Sequence, residues 1–207
     1  MTSRRPPRRA ATPDDAPALA ELINLAGDGL PLYLWGRMAE PGETAWQVGC
    51  RRARRDEGGF SWRNATVVER EGAVVACLIG YPLPEDPGPT DPAQLPPMFV
   101  PMEELERLAP RTWYVNVLAV YPPWRDRGLG TGLLALADRL ADGTGCRGTS
   151  IIVADANAGA RRLYERCGYR EIARRAMIKE GWDGAGSAWV LLVKPAPAGG
   201  GAEGAEA

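Results

Sequence analysis

The stretch Trp113-Tyr-Val-Asn-Val-Leu-Ala-Val-Tyr121 runs into Pro122-Pro-Trp-Arg-Asp-Arg-Gly-Leu-Gly-Thr-Gly132, and the leucine-rich segment Leu133–Leu140 follows. β-Branched and aromatic residues predict a strand over 111–121. Leu129, Leu133, Leu136 and Leu140 step by four, three and four, which predicts a helix over 128–141 with one apolar face. Between them lies a glycine-rich turn. Such a strand–turn–helix can leave backbone N–H groups free at a helix N-terminus, where phosphate oxygens bind well.

Two familiar phosphate templates fail here. A dinucleotide fingerprint needs a third glycine where Leu133 stands, and a Walker loop needs Gly-Lys-Ser/Thr, which is absent. What remains is Arg125-x-x-Gly128-x-Gly130 with Thr131. It supplies two cations, a close-approach backbone and a hydroxyl near the helix start. A purely structural glycine turn explains the same residues.

Working outward, Thr12-Pro13-Asp14 reads as a helix start, and Leu19, Leu22, Ile23 and Ala26 repeat at helical spacing up to Gly27. A second helical region, broken at Pro41-Gly42, reaches about Arg55. Its Tyr33, Trp35, Met38 and Trp46 are either core anchors or the lining of an acceptor pocket. Strands are expected at 64–71 and 73–81 around a turn at Gly72. Residues 82–101 are proline-rich and irregular by composition, and 102–108 suit a short helix. Further on come a strand at 149–154, a helix at 157–167 closed by Gly168, and strands at 169–180 and 188–193.

The totals exclude several classes. With 207 residues, 45% apolar and net charge −1, the chain suits one ordinary globular domain and offers no bulk attraction to nucleic acid. An association through Arg4–Arg9 and Arg51–Arg55 is the weaker reading of those arginines; a solvated arm and helix face is the simpler one. No run is long enough to span a membrane, and no apolar core follows the N-terminal arginines, so no export signal is read. Four scattered cysteines suit reduced thiols in a cytoplasmic protein. Histidine is absent altogether, which removes histidine bases, histidine triads and ordinary zinc sites; no metal is expected. The expected divisions are a basic disordered arm (1–9), one domain (10–194) and a disordered Ala/Gly/Glu tail (195–207).

Asn157, Ala160 and Tyr164 lie at i, i+3 and i+7, hence on one helical face. A tyrosine there either packs at a helix–sheet seam or gives its proton to a departing thiolate. Together, Val117-Leu-Ala-Val-Tyr-Pro122 through Arg125-x-x-Gly-x-Gly-Thr131, and Ala156-Asn-x-x-Ala-x-x-Leu-Tyr-Glu-x-Cys-Gly-Tyr169, resemble the paired motifs of the GCN5-related N-acetyltransferase (GNAT) superfamily. The order of elements over 10–193 is similar as well.

The resemblance implies an α+β fold. Its sheet is mixed, mostly antiparallel and seven-stranded, flanked by helices and splayed between the fourth and fifth strands. It implies acetyl-CoA as acyl donor, with the cofactor arm along Leu118, Ala119 and Val120 and the pyrophosphate at Arg125, Asp126, Arg127, Gly128, Leu129, Gly130 and Thr131. Asn157 and Ala160 would touch the arm, and Tyr164 would act as general acid. The implied reaction is direct attack by an amine acceptor on the thioester, and a homodimer is a family expectation. One departure stands out. Where many relatives carry a glutamate base, this chain has Asn116, which can orient water or substrate but cannot take a proton. Glu21, Asp28, Glu43, Glu103 or ordered water are the alternatives. Asn116 also keeps open a non-catalytic acyl-CoA-binding sensor or interaction module on the same fold.

Overall fold

In a computed structural model that describes residues 7–88 and 95–197, the strand read at 111–121 is β4 (Trp113–Val120), the middle member of a seven-stranded sheet. In chain order the strands are β1 (Arg8–Ala10), β2 (Ala65–Arg70), β3 (Ala73–Pro82), β4, β5 (Gly148–Ala154), β6 (Arg170–Ala176) and β7 (Ala188–Pro195). Their spatial order is β1-β2-β3-β4-β5-β7-β6; β4–β5 is parallel and every other pair antiparallel. The helices are α1 (Ala16–Ala26), α2 (Leu30–Arg37), α3 (Ala45–Ala53), α4 (Val100–Glu106), α5 (Leu129–Gly143) and α6 (Ala158–Arg166). None is long and apolar enough to cross a membrane.

Period-two alternation distributes the strand side chains between two faces. On one face, Ala76, Leu78, Val115, Ile151, Val153, Val190 and Leu192 join Leu133, Leu134, Ala137 and Ala141 of α5 and Tyr164 of α6. Leu136 and Leu140 sit at the margin of that apolar stripe rather than at its centre. The opposite face carries two separate cores. Val67, Cys77, Ile79, Val117 and Ala119 pack under α1 and α3, whereas Trp189 and Leu191 pack with Leu105 of α4, Leu30 of α2 and Trp182. The boundary between these two cores runs over the β4–β5 seam.

Several boundaries differ from the sequence reading. Arg8 and Arg9, expected in a loose arm, belong to β1: Arg9 binds Asp15 at 2.7 Å and Glu69 at 2.7 Å, fixing a three-residue strand too short for any periodicity to reveal. Residues 1–6 of that arm, 89–94 of the proline-rich segment and 198–207 of the tail lie outside the described residues. Within the proline-rich segment, Pro97–Phe99 forms a 3-10 turn that leads into α4 at Val100. The strand read to residue 180 stops at Ala176, where the chain leaves β7 for a loop around Gly181 and Trp182. Strand β7 extends the domain's sheet to Pro195.

Candidate active site

Strands β4 and β5 pair only from Trp113–Thr149 to Val115–Ile151. Beyond that point β4 stays with β3 and β5 stays with β7, so the facing backbone edges of Asn116–Val120 and Ile152–Ala154 separate. At the closed end Thr112 Oγ1 donates to the Ala109 carbonyl, so Ser150 Oγ must donate to Thr112, at 2.7 Å. The expected splay is therefore present, with a pinned vertex at Val115.

The vertex carries a β-bulge. Ile79 faces Val117 and Gly80 faces Val115, so Asn116 has no partner on β3. The bulge reverses which residues face α5, which is why Val115 and then Leu118 contact the same core. Gly80 is required there, because a Cβ would fall on the Trp113 ring and the Tyr114 carbonyl. The Asn116 amide donates from Nδ2 to the Gly59 carbonyl at 3.1 Å.

At the other end of the opening lies the glycine turn. Asp126 and Gly128 adopt positive φ (57° and 74°), and Gly128 caps α5 in the left-handed region. The first helical bond of α5 runs from Gly132 N–H to Gly128 O, and no backbone N–H from Asp126 to Thr131 has an acceptor among the described residues. Six donors therefore line the turn and the first residues of a fifteen-residue helix whose dipole points the same way. The arginines are less available than expected. Arg125 Nε holds the Val120 carbonyl at 3.1 Å, and the Arg127 guanidinium stacks on Trp124 at 5.0 Å. The backbone, not the guanidinium pair, makes this nest.

Leu118 and Val120 are half-buried against the α5 core and Ala119 faces the α1–α3 core. Across the gap, Asn157 caps α6 by accepting the Ala160 N–H at 3.1 Å, which commits its carbonyl oxygen and leaves its amide N–H₂ without a partner among the described residues. Tyr164 is 5% exposed, its ring 6.0 Å from that of Tyr169, and its hydroxyl bonds no described residue. Burial lifts its pKa well above the ordinary phenol value, so it stays protonated.

The acids proposed as base separate clearly. Glu21 accepts from Tyr121 at 2.6 Å, Glu43 is clamped by Arg51, and Glu103 faces Arg107 at 3.1 Å. Asp28 sits in the turn after α1 with φ 50°. A carboxyl missed in the sequence is Glu106, at the end of α4: burial raises it to about 7, the Glu103 carboxylate adds to this, and the Tyr114 hydroxyl acts in the opposite direction. Only a short helix within an irregular proline-rich segment hinted at its place. Tyr33 of α2 also reaches the Glu180 carbonyl, closing α2 against the β6–β7 loop.

The family model described as the acetyltransferase (GNAT) family matches residues 31–169. The chain belongs to the GNAT acetyltransferase family. Solved structures agree in fold. A crystal structure described as an acetyltransferase shares 19% identity and covers 92% of this chain and all of its own, with a TM-score of 0.63. An N-acetyltransferase from Staphylococcus aureus Mu50 shares 20% identity over 90% of this chain and 99% of its own, with a TM-score of 0.59. A GNAT family acetyltransferase from Elizabethkingia anophelis with acetyl-CoA bound shares 15% identity over 84% of this chain and 88% of its own, with a TM-score of 0.52. No curated protein sequence matches.

Proposed function

We propose that this GNAT protein is an N-acetyltransferase that moves the acetyl group of acetyl-CoA to a primary amine by direct attack. One observation carries the reading: the β4–β5 seam opens from Val115 toward a nest of six N–H groups at the start of α5 that have no acceptor among the described residues. A pantetheine arm matches the strand edges, which need backbone partners, and a pyrophosphate matches the nest. The residues Arg125–Thr131 hold the phosphates, the edge of Leu118–Val120 and the Asn157 amide hold the arm, and Ala160 packs beside it.

In this reading, β4 backbone donors near the bulge polarise the thioester carbonyl, and the rigid vertex fixes the approach of the amine. Tyr164 keeps its proton for the departing sulfur. The acceptor approaches between the α1–α3 core and the α4 core, under α2 and the β6–β7 loop. Four unpaired cysteines support a reducing, cytoplasmic setting.

The test is release of free CoA thiol with acetyl-CoA and a panel of primary amines: spermidine, tyramine, glucosamine, lysine and a peptide with a free N-terminus. Amine-dependent release is expected. Tyr164→Phe should then lower kcat by about 100-fold while acetyl-CoA affinity changes less than about twofold, and unchanged turnover would make Tyr164 a packing residue. Asn116 in place of a carboxylate favours a second reading, an acyl-CoA-binding module without turnover; tight binding with no thiol release on any amine would mark it.

A further inference from the structure

The transfer proposed above releases a proton from the attacking amine, and Asn116 cannot receive it. A neutral amide is not basic at physiological pH, and its Nδ2–H is already given to Gly59. Glu21, Glu43 and Glu103 each face a tyrosine hydroxyl or an arginine. A different carboxyl stands behind the vertex.

Tyr81 and Tyr114 are cross-strand partners on β3 and β4, their ring centroids 5.8 Å apart at 70°. Tyr114 is 5% exposed yet belongs to none of the three apolar cores, because it lies at the boundary between the two on its face. The Tyr81 hydroxyl and Asn116 Nδ2 converge on Gly59: a Cβ there would lie 3.0 Å from one and 3.2 Å from the other. Glu106 of α4 is near enough to both phenols for its charge to raise their pKa values. On its other side it lines a cavity of about 90 Å³ with Glu103, Arg107, Pro84, Pro87 and Pro110. Asn116, Tyr81, Tyr114 and Glu106 thus gather behind the β4 bulge, the carboxyl bordering a water-sized space.

We infer that Glu106, on the helix joining β3 and β4, takes the proton of the acceptor amine through the Tyr81–Tyr114 pair, an inference that rests on the transferase reading. The amine arrives as R–NH₃⁺. One N–H bond breaks and its proton reaches a Glu106 oxygen, while the freed lone pair forms the N–C bond to the thioester carbon. The C–S bond breaks with its electron pair on sulfur, and Tyr164 protonates that sulfur. The second amine proton returns through water to the Tyr164 oxygen, and Glu106 releases its proton to the cavity, giving amide, free thiol and H⁺.

The groups around Glu106 agree. Tyr81 comes from β3, Tyr114 from β4, and Glu103 and Arg107 from α4 itself; on β6, Arg175 is held at 2.6 Å by Glu104 instead. Burial and Glu103 together hold the carboxyl near 7, where a base is both available and strong enough to act.

The test compares pH profiles of kcat/KM for the intact chain, Glu106→Gln, Glu106→Asp and Glu103→Gln, with the fastest amine of the panel. The unmodified chain should lose activity below about pH 7, besides a limb near about 10 set by the amine itself. Glu106→Gln should lose the limb near 7 and about 100-fold in rate, with acetyl-CoA affinity preserved within about twofold. Glu106→Asp should recover part of the rate. Glu103→Gln should move the limb to lower pH, because a like charge is removed. Persistence of the limb in Glu106→Gln would overturn the inference. So would a Glu106 carboxyl titrating near the ordinary value of about 4.3 by carbon-13 NMR, a measurement that needs no acceptor. Absence of turnover with every amine would instead contradict the transferase reading itself.

Discussion

Three polar residues take their character from three different causes: Asn116 from a β-bulge, Tyr164 from the buried face of α6, and Glu106 from burial beside Glu103. Tyr164 was legible because helical spacing set it on one face with Asn157 and Ala160, and α6 keeps that face toward the α5 core. Asn116 was legible as a departure, but its bulge was not, since a bulge is set by which cross-strand partners fit. Glu106 was invisible because its character comes from burial and from Glu103 one turn away, neither of which composition encodes. Arg125 and Arg127 were legible by charge but not by their local contacts: one holds the Val120 carbonyl and the other stacks on Trp124. Glu106 also has a consequence for stability. Its folded pKa of about 7 lies above the unfolded carboxylate value, so the folded state binds the proton more tightly and stability falls as pH rises from about 4.5 to 7. Glu106→Gln removes that cost. It should melt above the unmodified chain at pH 8, with the advantage vanishing near pH 4; an advantage independent of pH would contradict the assignment.

Among the elements, the strand–turn–helix β4–α5 was the most legible, because apolar runs and glycines mark both its periods and its break. Strand β1 was the least legible: its place depends on Arg9 bridging Asp15 and Glu69 across 60 residues of chain, a long-range ion pair rather than a local pattern. The end of β6 was overrun because Met177 and Ile178 continue an apolar pattern after pairing has ceased. The element that shapes the opening is the β3–β4 pair, where Gly80 lets the edge of the Trp113 ring approach the backbone beside the bulge. Gly80→Ala should therefore cost about 1–3 kcal/mol by overpacking. It should also weaken acetyl-CoA binding, as β4 moves away from β5. Urea unfolding and calorimetry on the same sample check both; full stability with full affinity would show that the close approach at Gly80 is dispensable.

At the scale of the whole molecule, the sheet divides labour between its faces. One face carries a single continuous core under α5 and α6, into which Leu129 of the turn and Tyr164 both pack. The other carries two separate cores that meet over the open seam. This division follows from a parallel β4–β5 pair that ends at Val115, set inside an otherwise antiparallel sheet. The transferase proposal requires the seam and the α5 nest to bind acetyl-CoA together. Isothermal titration of acetyl-CoA into the intact chain tests it most directly. One molecule should bind per chain, with a dissociation constant in the range of about 1 μM to 1 mM typical of enzyme substrates. Absence of binding heat from folded protein, together with an unchanged melting temperature at saturating acetyl-CoA, would contradict it.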